Sequence, residues 1–167
     1  DGHECTTSAA FVDISATAFD MFGLAPDTEA PGRSLRELAS LPDDPDRTVF
    51  AEYHDGGSST GAFMVRWRDW KYVHYTGLPP QLFDLQADPH ELVDLGTDTS
   101  QRAVAAREDG ARRLAAICDA DAVNARCFAD QEKRIEALGG REACRNAYLF
   151  NHTPTPDEQG AMERPDA

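Results

Sequence analysis

The chain is short of basic residues. Sixteen Lys and Arg stand against 30 Asp and Glu in 167 residues, giving a net charge of -14 and a pI near 4.6. A field of that sign repels a phosphate backbone and an anionic lipid surface, so nucleic acid is excluded as an expected partner. No apolar run approaches the roughly 20 residues that a membrane-spanning helix needs. Cysteine is also sparse. Cys5, Cys118, Cys127 and Cys144 are too scattered for a disulfide framework, and none forms a Cys-x-x-Cys pair, which removes the usual zinc and redox spacings. They read as buried thiols on helix faces, and free thiols favour a reducing, cytoplasmic setting. A Gly-x-Ser-x-Gly elbow and a glycine-rich phosphate loop are both absent, so a serine-hydrolase or P-loop chemistry has no carrier here. The first residues, Asp1-Gly2-His3-Glu4-Cys5, lack an initiator Met, a basic segment and an apolar segment. They read as the middle of a longer gene product.

What is present describes an ordinary globular chain, 41% hydrophobic and 28% charged, long enough to bury roughly 70% of its unfolded surface. Phe11, Ile14, Ala18, Phe19 and Phe22 recur at helical spacing, with Gly23 as the C-terminal stop and Asp13 as a candidate cap. Ser34 with Glu37 opens a short helix to Leu41. Thr48 to His54 is rich in β-formers, and Ala62 to Arg68 alternates, with Phe63, Val65 and Trp67 on one face. Trp70 to Tyr75 returns after a turn at Arg68-Asp69. Gly77-Leu78-Pro79-Pro80 reads as a further turn, and Gln81 to Leu85 as another strand. Short connections predict an antiparallel meander. From Ser100 the spacing of Val104, Ala111, Leu114, Ala115 and Cys118 predicts a helix, with Gly110 a weak point. Val123, Cys127, Ile135 and Leu138 stripe the next helix, which Gly139-Gly140 ends, and Arg141 to Tyr148 forms a last short one. The fold class expected is α+β: a small antiparallel sheet with flanking helices, then a helical extension and an extended tail. Four regions follow: 1–47 as the end of a larger domain with its connecting loop, 48–99 as the antiparallel subdomain, 100–150 as the helical extension, and 151–167 as the tail.

Three clusters carry possible chemistry. Glu52-Tyr53-His54, at a strand end before the loop Asp55 to Gly61, is the best candidate, because a histidine beside an acid moves protons and a glycine loop admits a ligand. Its competing and favoured reading is a histidine hydrogen-bonded at a sheet edge. Arg66, Arg68 and Lys71 beside Trp67, Trp70, Tyr72 and Tyr75 could hold a sulfate or phosphate. Alternation in a hairpin with one wet and one buried face also accounts for them, and a structural role is favoured. Asp43-Asp44 suits a hard cation, yet its flanking prolines mark a solvated loop, with Asp46 adding a charge with no obvious partner. Asp84 and Asp88 are expected to cap backbone N–H groups at their turn.

Leu82-Phe83-Asp84-Leu85, followed by Ala87-Asp88-Pro89-His90-Glu91-Leu92-Val93-Asp94-Leu95, resembles the closing signature of the sulfatases, in the alkaline-phosphatase-like superfamily. Phe11 to Leu24 is similar to that family's "valine-Asp-x-x-Pro-Thr" helix, with Ala16 where the proline usually stands, and Gly32-Arg33-Ser34-Leu35 matches the Gly-x-Ser-Leu that follows. Asp130-Gln131, Ile135 to Glu142 and Thr153-Pro154-Thr155-Pro156 resemble the distal helices and tail of the choline-sulfatase and phosphonate-monoester-hydrolase branch. The ordered set spans nearly the whole chain and is similar to the C-terminal portion of a type I sulfatase.

The resemblance implies a hydrolase of small sulfate esters that uses a formylglycine nucleophile, made in a Cys-x-Pro/Ala-x-Arg motif, and a divalent cation such as calcium. None of the four cysteines sits in that motif: Cys118 and Cys127 have Ala120 and Ala129 at the third place, but Ala122 and Gln131 where Arg is required. The family's metal-binding Asp-Asp and Asp-His/Asn-Gly have no counterpart, His54-Asp55-Gly56 having the wrong order. No catalytic or metal residue transfers, so nucleophile and cation are expected outside the chain. His54 is the candidate for reaching the substrate cleft, and the distal helices and tail imply contacts in a homo-oligomer. Rival readings are a non-catalytic interaction or oligomerisation module, a phosphonate or phosphate ester hydrolase of the same superfamily, and a small complete enzyme built on Glu52 and His54.

Overall fold

A computed structural model describes residues 2, 4–25, 29–54 and 58–146. The expected tail at 151–167, the end of the last predicted helix and loop residues 55–57 lie outside them. The chain divides into two compact units, Asp1–Asn124 and Ala125–Ala167.

The first unit is built on a four-stranded antiparallel sheet, β1 (Val49–Tyr53), β2 (Ala62–Trp67), β3 (Trp70–Tyr75) and β4 (Leu78–Asp84), in the order β1-β2-β3-β4. Alternation in β2 works as expected. Phe63, Val65 and Trp67 are buried against the core, while Arg66 is exposed. Register places Phe63 between Glu52 and His74, and Val65 between Phe50 and Tyr72. The β2–β3 turn forces Arg68 to φ +46°. A non-glycine residue resists that geometry. Here its side chain grips Asp46 through two nitrogens, at 2.7 and 2.9 Å, and its N–H donates to the Pro45 carbonyl at 2.8 Å. Asp46, expected to lack a partner, is therefore held by Arg68, and Arg113 approaches it at 3.5 Å.

β4 begins earlier than the sequence suggests. Pro79 and Pro80 lie in the strand, and the turn is Thr76-Gly77, with Gly77 at φ +77°. Proline cannot donate to a ladder, but β4 is an edge strand, where one row of N–H groups needs no sheet partner.

One face of the sheet carries α3 (Gln101–Ala115), capped by Ser100, whose hydroxyl accepts the Ala103 N–H. Its buried face is Ala103, Ala106, Gly110 and Leu114; of the expected stripe, Leu114 is buried and Cys118 packs beside the core, whereas Val104, Ala111 and Ala115 lie off that face. Small residues let the helix sit close to Trp67 and Tyr72. Gly110 is the contact point, since a Cβ there would lie 2.7 Å from Tyr72 Cβ and Cγ and 3.0 Å from Trp67 Cη2. The expected weak point is a packing requirement.

α1 (Val12–Met21) and α2 (Leu35–Ser40) precede the sheet. α1 ends as its pattern predicts, with Gly23 at φ +65°, but it is turned the other way round. Asp13 is the residue it buries, whereas Phe11 and Phe22 are 86% and 80% exposed and Ile14, Met21 and Leu24 are also open to solvent.

α4 (Ala120–Ala137) starts in the first unit, with Asp119 accepting the Ala122 N–H at 3.0 Å. In the second unit it continues to Gly139-Gly140, both at positive φ, and α5 (Arg141–Asn146) follows. Arg141 pairs with Glu132 across that turn. The four cysteines are free and partly exposed, less buried than expected.

Candidate functional site

His54 leaves the end of β1 and folds back over the sheet. Its ring meets Phe63 edge-on, centroids 5.1 Å apart at 78°. Gly61 makes the room: a Cβ there would stand 2.7 and 2.8 Å from His54 Cε1 and Nδ1. The Gly61 N–H is held in turn by Asn124 Oδ1 at 2.7 Å. His54 Nε2 makes no hydrogen bond among the described residues, and Glu52 Oε2 lies 3.6 Å away, an ion-pair distance once the ring is protonated. The side chain keeps 19% exposure, but Nε2 itself is buried. On the far side of Phe63, His74 sits in a tilted ring contact and faces Asp121 at 3.7 Å. Cys118 belongs to the same neighbourhood: burial, then the charges of Glu52 and Asp119, push its thiol above the ordinary range, which leaves it a poor nucleophile at neutral pH.

The corner brings an acid and a histidine, the pair that proton-transfer chemistry uses, to 3.6 Å without a hydrogen bond between them. Sequence inspection found Glu52 and His54. It missed His74, Asp121 and Asn124, which only strand register and the start of α4 bring there. No group of three or more His, Cys, Asp or Glu side chains able to hold a metal ion exists among the described residues. Asp43 and Asp44 are engaged with the N-terminal segment, Asp43 accepting from Thr6 Oγ1 at 2.5 Å and the Asp44 N–H donating to Thr7 Oγ1 at 2.8 Å. The described residues thus fit neither a divalent cation nor, by their cysteine contexts, a formylglycine, and no chemical step through either can be derived from them.

The residues that carry the family signature have structural tasks. Asp13 is fully buried. It takes two hydrogen bonds from Arg47, at 2.8 and 2.9 Å, and the N–H groups of Ala10 and Arg33, at 2.7 and 2.9 Å. Burial opposes its charge, but those hydrogen bonds and the Arg47 charge outweigh it and hold the carboxyl below the ordinary carboxylate range. Thr17 accepts the Leu35 N–H, and Ser34 donates to Asp20 at 2.7 Å. Gly32 passes so close to α1 that a Cβ would lie 2.3 Å from the Val12 carbonyl oxygen. The closing signature is likewise self-bound. Asp84 accepts from the Gln86 and Ala87 N–H groups and pairs with Arg102, while Asp88 accepts the Val93 N–H. Asp94 accepts those of Leu82 and Gly96.

The four-stranded antiparallel sheet with flanking helices is an α+β arrangement that matches C-terminal sulfatase domains. No family model matches the chain. Individual relatives do. It is 31% identical over 166 residues to the choline-sulfatase of Rhizobium meliloti (strain 1021), covering 95% of this chain and 31% of that protein. It is 32% identical over 104 residues to arylsulfatase K of Danio rerio, 58% of this chain and 20% of that one. Among solved structures it superposes on the phosphonate monoester hydrolase of Agrobacterium radiobacter with a TM-score of 0.51 and 30% identity, over 68% of this chain and 25% of the other. The chain therefore spans between a fifth and a third of the length of these relatives. By sequence and fold it is similar to the C-terminal portion of sulfatases, in the alkaline-phosphatase-like superfamily.

Proposed function

We propose that this chain is the C-terminal region of a hydrolase of small sulfate esters. In this reading it walls one side of the substrate cleft and supplies an assembly surface for a homo-oligomer, while the formylglycine nucleophile and the divalent cation are carried by residues outside it. The observation that carries the reading is the 95% of this chain aligned with a choline-sulfatase. His54 is the residue of this chain assigned to the cleft, because its ring is positioned by Gly61 and Phe63 at the end of β1 and part of its side chain stays exposed. In the full-length enzyme, His54→Ala is expected to lower kcat/KM for a sulfate ester by about tenfold or more, the scale of one lost polar contact to substrate. Unchanged turnover and affinity would remove His54 from the cleft.

Residues 1–47 take the role of the end of the large domain. The support is the reversed α1, whose polar face is satisfied inside the unit while its apolar face is open. The chain alone is then expected to bind an environment-sensitive dye, and Phe11→Ser with Phe22→Ser to reduce that binding without changing the unfolding midpoint. A clean monomer that ignores the dye would count against this face as a packing surface. Regions 48–99 and 100–150 keep the roles of cleft-side subdomain and assembly extension. A phosphonate ester is the second substrate class, favoured by the likeness to the phosphonate monoester hydrolase.

A further inference from the structure

A groove of about 420 Å³ runs between the β2–β3 turn and α3, lined by none of the residues of the His54 corner. Arg68 on the turn, Arg102 and Arg113 on α3, and the indoles of Trp67 and Trp70 line it. Each indole is covered by a guanidinium: Arg102 lies 4.6 Å from the Trp70 ring centroid and Arg113 5.2 Å from that of Trp67. Stacking of this kind fixes the plane of a guanidinium and leaves its edge available for hydrogen bonds.

The charge balance decides what such a groove can take. Its two carboxylates are each shared: Asp46 faces Arg68 and Arg113, and Asp109 faces Arg112 and Arg113. Neither is a bare anion that would repel another. Arg113 spends Nη1 within the wall, on the Asp46 carbonyl and Thr48 Oγ1, and its Nε is buried without a hydrogen-bond partner among the described residues. Arg102 and Arg68 are more open to solvent. Arg102 gives Nη1 to Asp84 and is 62% exposed. Arg68 gives Nε and Nη2 to Asp46 and is 58% exposed. Two guanidinium groups therefore keep spare N–H donors on opposite walls of one groove, in a chain otherwise strongly acidic.

We infer that this groove binds a small tetrahedral oxyanion, a sulfate or phosphate group, between Arg68 and Arg102. Charge-assisted hydrogen bonds from the two walls hold it, and the indole floor excludes water from one side. The site does not depend on the cleft role of His54.

The chain's two tryptophans both line the groove, so their emission reports on it directly. Inorganic sulfate is titrated into the full chain at ionic strength held constant with chloride, in parallel with methyl sulfate. A saturable change in tryptophan emission is expected, and Arg102→Gln is expected to weaken it by about tenfold or more. Arg102→Lys keeps a cation beside Asp84 and so protects the fold, but loses the planar fork, and is also expected to bind more weakly. Arg126→Gln, an exposed arginine on α4, is expected to bind as the parent does. Response to inorganic sulfate alone identifies a free-ion site, and response to both identifies recognition of the sulfate group; response to methyl sulfate alone identifies an ester site. No saturable response beyond chloride, or equal affinity in both Arg102 variants and the parent, overturns the site.

Discussion

Replacing Asp13 with alanine is expected to cost about 3–5 kcal/mol of unfolding free energy, the range found when one member of a buried ion pair is removed. Arg47, 13% exposed, would keep its charge with no carboxylate to meet it. The N–H groups of Ala10 and Arg33 would lose their acceptor as well. Urea denaturation of the chain and the variant measures the loss. Removing Arg47 too, as Asp13→Ala with Arg47→Met, is expected to recover part of it, since the remaining cost lies in the orphaned charge. The sign of the pH dependence follows from the same pair. A carboxyl held below its unfolded range contributes stability that is fully present above that range, about pH 4, and is lost as pH falls through the folded value. The parent chain should lose stability on acidification more steeply than the Asp13→Ala variant. Glu37→Ala, which removes only the exposed partner of Arg33, should shift the midpoint little. An Asp13→Ala protein as stable as the parent would show that the pair does not hold α1 to the segment before β1.

The second large effect is expected from adding one methyl group. Gly110→Ala improves helix propensity by about 1 kcal/mol, so an exposed position would be stabilised. At this position the new Cβ enters space held by Tyr72 Cβ, an atom next to the β3 backbone that cannot swing away. Overpacking of that sort costs about 1–3 kcal/mol, and the net is expected to be destabilising. The same denaturation experiment reads it, and the near-ultraviolet signal of Trp67 and Tyr72 should change with it. A variant at least as stable as the parent would mean that α3 stands further from the sheet than the geometry places it.

These two positions mark the limits of reading the sequence. The hairpin of β2 and β3 was legible because Phe63, Val65 and Trp67 alternate with polar residues, a local pattern with a local cause. The face of α3 was legible only at Leu114, because its other core residues are alanine and glycine, which carry little hydrophobic signal and matter through what they leave out. α1 was legible as a helix, but its direction of burial was inverted, since periodicity says which residues share a face and nothing about what the face meets. Asp46 seemed partnerless because Arg68 and Arg113 are distant in sequence. At the His54 corner the strand-end histidine and the following glycines were visible as a motif. His74, Asp121 and Asn124 join only through register and the placement of α4.

The closing signature also governs how the sheet meets its surroundings. Leu82 offers an N–H and a carbonyl on the outer side of β4, and the returning chain takes both: Asp94 accepts the one at 3.0 Å, and the Leu95 N–H donates to the other at 2.8 Å. Gly96 follows so closely that a Cβ would stand 2.1 Å from the Pro80 carbonyl oxygen. Two prolines and a strapped-down return leave no template on that border for a foreign strand. β1 is the opposite border of the sheet, with Tyr53 largely exposed. Any sheet extension between copies or with another polypeptide is thereby directed to the side from which His54 departs.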